Sequence, residues 1–499
     1  MNFGSDTKKK NIILIFFFII FLFHILCVNF YPINDEFIFP IGSKLIEKYS
    51  VEDVNLFFNY NANTLGFSFV IFILTKITNL DHDLIAKLLS TSGLIFILIG
   101  VYNILDVIKF KIRNDDLLYL IIIIFLNPLI FNFSLRGTPD FFGSAISFFA
   151  ISIFLSPKKV FFKYLAIIIF GIGVIVKPTN AILILLNYLN IKKISIKNLI
   201  HYSYLKNFLL LLFFPIIYFL INFNYFGFFV VPTNFNYLGD SSFSKYLINF
   251  ITYSGFLGLM TCPLYLIYLK DLNIKKIFKI LIYTFISILI ALFFMKKSGE
   301  LNFGPLSNYL GEKVFFFIIT MSFFLIFDLI ISNKEKINNN QKIMLFLFLL
   351  YIIVLSKYHT SQRYFLTIIP LYLIVFYKIF FNKFLYFVTL ILYVSLNILL
   401  FSNHYQTQLH VKNLINFLKN EKIIFDTQPG YLGQHALNFF VQLDKNGNNY
   451  FGNDDTFNKN KKYYVSQKKP KINQKIIFVS KSKNILLNTE EIYIIEKIK

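Results

Sequence analysis

Four short stretches carry side chains able to do acid–base or anion chemistry. NDEFIFP (34–40) places the adjacent carboxylates Asp35 and Glu36 just past a long apolar run. RGTPD (136–140) holds Arg136 and Asp140, and VKPTN (176–180) holds Lys177. KYHTSQRYF (357–365) adds His359, Gln362, Arg363 and Tyr364. Ionisable groups at membrane depth are costly and mark function by default. A positioned carboxylate can take the proton of an attacking hydroxyl. Arg and Lys can stabilise the charge that builds on a departing phosphate. Together these types describe a base facing an anionic lipid head group.

The elements that must position them are apolar. Of 499 residues 56% are hydrophobic, with 66 Phe and 31 Tyr. Only 15% are charged, against about 25% in a soluble protein. Apolar runs of about 15–22 residues recur, each near the length that crosses a hydrocarbon core. They do not alternate, which excludes a barrel. The net charge of +23 comes from Lys in short loops between spans, as cytoplasmic loops have, and not from a nucleic-acid surface. Cys27 and Cys262 fall in or beside spans and give no disulfide framework. Lys8–Lys10 and the following run read as a retained first span, not a cleaved signal.

The basic residues set the orientation, with the N-terminus inside. Span one is about 11–30, so Asp35 and Glu36 emerge outside. Thr64–Ile77 is too short to span and reads as interfacial. Further spans fall at about 84–108, 116–133, 141–156, 161–176, 178–191, 205–222, 247–269, 277–295, 314–332 and 343–356, then one ending near 382 and a last at 384–401. The expected fold is an all-α polytopic membrane protein of about thirteen transmembrane helices. Arg136, Lys177, Lys296, Lys297 and Arg363 remain on the outer side near membrane level. Residues 1–402 form the transmembrane domain, with an outer loop at 31–83. Residues 403–499 form a small extracytoplasmic α/β domain, with strands in KIIFDT, KYYVSQ, KIIFVS and EIYIIEKI and a helix in GYLGQHALNFFVQL.

This arrangement resembles the GT-C superfamily of integral membrane glycosyltransferases, in the branch of protein O-mannosyltransferases and lipid A aminoarabinose transferases. The resemblance rests on the early DE pair in NDEFIFP and the interfacial helix Thr64–Ile77. It also rests on Asp140 after the third span and on RYFLTIIP (363–370) leading into a late span. The span count and the outer C-terminal domain agree with it. The chain departs where the family carries a His-Pro-Pro-like stretch and this sequence has NYNANTLGF. The resemblance implies Asp35 as catalytic base, with Glu36 as the second choice, because neighbours in an extended segment point apart. It implies Arg363 as phosphate ligand, Lys177 as a second cation and Asp140 as a donor-sugar or positioning contact; Arg136 and Tyr364 complete the substrate-binding set. The implied reaction moves a sugar with inversion from a polyprenyl-phosphate donor to an envelope acceptor, at the outer face of a bacterial inner membrane.

Each feature also has a plain structural role. A loop pair can set topology, Arg363–Tyr364 can anchor a helix at the interface, and Lys177 can snorkel. Arg136 can pair with Asp140, and His359 can be an ordinary loop residue. Lys296–Lys297 can hold anionic lipid nonspecifically. No tight metal-ligand cluster is visible, and a divalent metal is left open. Membrane lipids are implied partners; nucleic acid is not. An O-antigen or polysaccharide polymerase would need long Arg-rich outer loops in mid-chain. A lipid-linked sugar flippase or transporter would need mid-span charges and repeat symmetry.

Overall fold

The chain is described from a computed structural model that covers residues 7–28, 32, 34–48, 65–108, 114–156, 159–189, 195–226, 243–260, 273–294, 311–357, 362–380, 383–423, 425–427, 462–466, 474–483 and 489–496. His359, Lys296, Lys297, Cys262 and the candidate helix GYLGQHALNFFVQL lie outside the described residues.

Helices dominate. α1 (Thr7–Leu26) is followed by a 3-10 turn at Asn34–Phe37, α2 (Ile38–Lys48) and α3 (Leu65–Thr78). α4 (His82–Val107), α5 (Asn114–Leu126), α6 (Pro128–Phe133), α7 (Pro139–Leu155) and α8 (Val160–Val176) come next. A 3-10 segment at Pro178–Tyr188 then leads to α9 (Ile196–Leu199), α10 (Tyr202–Phe226), α11 (Phe243–Met260) and α12 (Ile274–Phe294). α13 (Glu312–Ser332), α14 (Asn339–Leu355), a 3-10 turn at Gln362–Thr367, α15 (Ile369–Phe380) and α16 (Lys383–Asn420) complete the helical part.

Among the described residues, four helices are long and apolar enough to cross a membrane: α4, most of α10, α13 and most of α16. Shorter apolar helices include α3, α7, α8 and α14. Phe18, Phe161 and Phe213 are exposed on such helices, an arrangement that suits acyl chains and would be a liability in water. These are the marks of a membrane protein.

Three expected elements differ from the structure, each for a local reason. The third span is broken at Asn127. Pro128 disfavours helical backbone at the residue before it, and the Asn127 side chain accepts from Leu129 N–H at 3.1 Å to start α6. The sixth span is a 3-10 helix. Asn180, Leu183, Leu186 and Leu189 are all buried, a repeat of three that matches three residues per turn. The last span does not stop near 401. α16 runs 38 residues without a break, about 57 Å at 1.5 Å per residue, and so crosses position 402, where the soluble domain was expected to begin.

The C-terminal end of α16 leads to the four expected strands: β1 (Phe425–Thr427), β2 (Tyr463–Ser466), β3 (Ile476–Lys483) and β4 (Thr489–Glu496). The sheet order is β1-β2-β4-β3. The β1–β2 pair is parallel and the other two are antiparallel. Val465, Ile492 and Ile494 share one core with Val411, Leu414 and Leu418 of α16. Phe417 stacks on Phe478 with ring centroids 4.2 Å apart. Phe37, Phe39 and Leu45 from the segment after span one, and Phe67 and Ile71 of α3, belong to the same core. α2, α3 and the late sheet therefore form one cap.

Glu496 closes the β4 end, with Oε1 2.8 Å from Lys462 Nζ and Oε2 3.4 Å from Lys475 Nζ. The Lys462 contact holds its carboxyl below the usual glutamate range. A carboxylate so held favours the folded sheet at neutral pH, and that contribution is lost as pH falls through its folded-state value. Hydrogen exchange of β4 in the full-length protein, corrected for intrinsic rates, should show more protection near neutrality than below about pH 4. Glu496→Gln should shrink that difference; an equal difference in the variant would remove the pair from the sheet's stability.

Candidate functional site

Two polar groups meet where the short helices after span one approach the bundle. The first is built on Asp140. Thr138 is the extended N-cap of α7 and Pro139 its first residue, a position where the missing N–H costs nothing. That places Asp140 in the first turn, where the helix dipole favours a carboxylate. Lys177 ends α8. Its Nζ lies 3.1 Å from Asp140 Oδ1 and donates to the Arg363 carbonyl oxygen at 3.1 Å. Arg363 Nη1 stands 4.0 Å from Asp140 Oδ2. The Asp140 and Lys177 side chains are 9% and 6% exposed, whereas that of Arg363 is 37% exposed. The guanidinium is thus the part of this cluster open to an incoming anion.

Second contacts hold the cluster. The Thr367 hydroxyl donates to Asn180 Oδ1 at 2.9 Å and lies 2.9 Å from Ser144 Oγ. The Tyr351 hydroxyl donates to the Tyr364 carbonyl at 2.7 Å. The Tyr364 ring stands 5.7 Å from Lys177 Nζ and 5.9 Å from Arg363 Cζ. Gly143 lets α7 approach: a Cβ there would lie 2.7 Å from Lys177 Cβ.

The second group gathers around α4. Glu36 lies in the 3-10 turn Asn34–Phe37 and is 2% exposed. Asp35 belongs to the same turn, and its side chain is outside the described residues. The segment expected to be extended is therefore coiled, and strand-like alternation does not decide between the two acids. Lys87 of α4 is also 2% exposed and feels the charges of Glu36 and Asp83. Arg136 packs its guanidinium over the Phe133 ring at 5.1 Å. Its charge reaches both Asp140 in the first group and His404 of α16 in the second. His404 also feels Lys87. Arg136 thus links the two groups.

Of the residues expected from sequence, Asp140, Lys177, Arg363 and Tyr364 come together directly, and Arg136 joins them electrostatically. Glu36 stands with the second group. Lys87, His404 and Gln408 were not expected. Lys87 sits four residues after Asp83, a spacing that reads as an ordinary helix pair. His404 and Gln408 lie past the apolar part of the last span. Among the described residues, no three His, Cys, Asp or Glu side chains gather to hold a metal ion. No family model, curated protein or solved structure matches the chain.

The site thus offers cations that can hold an anion (Arg363, with Lys177 beside it) and two buried carboxylates, Asp140 and Glu36. The Asp140–Lys177 pair has a structural cost if broken. Asp140→Asn leaves Lys177 buried without its counter-charge, a loss of about 3–5 kcal/mol. Thermal unfolding of the detergent-solubilised protein should show that loss, and Asp140→Asn combined with Lys177→Met should recover part of it. A double variant no more stable than the single one would argue that the pair is not what holds α7 to α8.

Proposed function

We propose that the chain is an inverting membrane glycosyltransferase of the GT-C type. It takes a sugar from a polyprenyl-phosphate donor and places it on an acceptor at the outer face of a bacterial inner membrane. In this reading about thirteen helices cross the bilayer, the N-terminus is cytoplasmic and the cap is extracytoplasmic. The observation that carries it is the meeting of the buried carboxylate Asp140 with Lys177 and the part-exposed Arg363, from segments distant in sequence; buried Glu36 stands with Lys87. The common core of the early outer loop and the sheet supports a single outer side for both.

The reaction is a single displacement. The acceptor oxygen bonds to the anomeric carbon as its O–H proton passes to a carboxylate of the Asp35–Glu36 pair. The bond from that carbon to the phosphate oxygen breaks, and its electron pair leaves on the phosphate. Arg363, with Lys177 beside it, stabilises the charge there. Asp140 sets the position of both cations. The lipid tail lies along the apolar helices.

Membranes bearing the wild type, Asp35→Asn or Glu36→Gln at matched expression test this with radiolabelled polyprenyl-phosphate sugars and an envelope extract. Loss of the base should lower transfer about 100-fold or more, in one of the two variants. Arg363→Ala should raise the donor KM. Transfer that survives both acid substitutions removes the pair from the mechanism. No wild-type transfer from donors that serve a control enzyme points instead to a polymerase or flippase.

A further inference from the structure

The turn Gln362–Thr367 carries Arg363 near one end and Thr367 at the other. Two side chains hold its backbone. Lys177 Nζ donates to the Arg363 carbonyl at 3.1 Å, and the Tyr351 hydroxyl donates to the Tyr364 carbonyl at 2.7 Å. Phe365 packs against Tyr253 and Phe256, with ring centroids 5.2 and 5.3 Å away. Apolar packing is non-directional, so it holds the turn down without setting its rotation. Thr367 supplies direction at the far end. It is buried, and its hydroxyl meets Asn180 Oδ1 and Ser144 Oγ, each at 2.9 Å, and the Tyr351 hydroxyl.

The protons of this cluster do not suffice while Asn180 Oδ1 faces Thr367. Ser144 donates to the Asp140 carbonyl at 2.7 Å, and Tyr351 donates to the Tyr364 carbonyl. Carbonyls only accept, so neither hydroxyl has a proton left for Thr367. If Thr367 donates to Asn180, its contact with Ser144 holds no proton, and Asn180 Nδ2 is buried without a partner. A half-turn of the amide exchanges oxygen and nitrogen in nearly the same space. Asn180 then donates to Thr367, Thr367 to Ser144, and Ser144 to the Asp140 carbonyl. The unmet atom becomes an oxygen, which protein interiors tolerate better than an orphaned N–H. We infer that Thr367 is the positioning residue of the Arg363 anion site, fixing the turn through the relay Asn180–Thr367–Ser144–Asp140. Both ends of the turn are then referred to Asp140, Arg363 through the carboxylate and Thr367 through the carbonyl. The part-exposed guanidinium is thereby held in place before an anion arrives, and a preordered group loses less freedom on binding. This rests on the glycosyltransferase reading and adds to it a residue that acts on the donor phosphate through Arg363.

The test uses the full-length protein in nanodiscs, with radiolabelled undecaprenyl phosphate as the probe. Thr367→Val keeps the shape and removes the hydroxyl. It should weaken binding about tenfold, the scale of one hydrogen bond, and Thr367→Ser should restore it. On an Arg363→Ala background, Thr367→Val should have no further effect, because it acts through the guanidinium. Ser144→Ala should also weaken binding, and adding it to Thr367→Val should change nothing more, because both break one relay. Thermal unfolding confirms that each variant is folded, and Ser144→Ala carries the test if Thr367→Val is not. Unchanged affinity in the folded variants, or a full further loss on the Arg363→Ala background, overturns the positioning role while leaving the transferase reading intact. A wild type that holds no undecaprenyl phosphate overturns both.

Discussion

The contact between Asp140 and Lys177 is the constraint on which the polar end of the helical bundle depends. Two charges taken out of water interact strongly only if their geometry is good and their remaining valences are filled. Here the ammonium divides its donors between the Asp140 carboxylate and the Arg363 carbonyl. That arrangement joins the start of α7, the end of α8 and the turn before α15, elements separated by up to 223 residues. Gly143 is required because no Cβ fits beside Lys177 at this distance. The pair therefore fixes where Arg363 and Tyr364 stand, and with them the only strongly exposed cation of that cluster.

Irregular backbone concentrates around the same pair. Inside a bilayer, non-helical backbone is tolerated where protein or a polar cavity covers it. The break at Asn127 is covered: its amide donates to the Met260 carbonyl at 3.2 Å, and Tyr393 also donates to that carbonyl. The 3-10 helix at Pro178–Tyr188 presents Asn180 to Thr367 and Asn187 to the Tyr204 carbonyl, at 2.9 and 2.7 Å. Asn132 and Asn397 pair across α6 and α16 at 3.2 Å. At these two departures from α-helix an Asn side chain of the irregular segment bonds to a distant element. Chain segments that would be weak alone are thus held by hydrogen bonds that an apolar surround makes costly to lose.

Much of this was legible in the sequence, because in an apolar chain the few charges are conspicuous. Apolar runs marked most of the helices, and β-branched and aromatic stretches marked all four strands. Asp140, Lys177 and Arg363 were expected on one side of the membrane, and they lie within 4.0 Å of one another. What was not legible has physical reasons. Hydropathy counts apolar residues and does not distinguish a repeat of 3.0 from 3.6 over eleven residues, so the 3-10 helix read as a span. Pro128 carried a visible signal for the break at Asn127, masked by apolar residues on both sides. Lys87 carries no local signal of its burial, since burial by elements distant in sequence leaves no local trace. The change of composition after 401 suggested a new domain, yet helical backbone can continue while its surroundings change from lipid to protein.

That continuity ties the cap to the buried polar groups. α16 passes His404 and Gln408 at the polar site before Leu414 and Leu418 meet the sheet. One continuous helix therefore carries both the buried His404–Gln408 contact and the surface on which the sheet is built. α2 is tied to α4 by the contact of Ser43 Oγ with His82 Nδ1 at 2.8 Å, one turn before Lys87. Phe37, next to Glu36, lies in the core that the sheet completes. Displacing the sheet would uncover Phe37 and move the carboxylate beside it. The C-terminal region is thus part of what positions the acid, which ties folding of the last strands to completion of a site whose first residues emerge near the N-terminus.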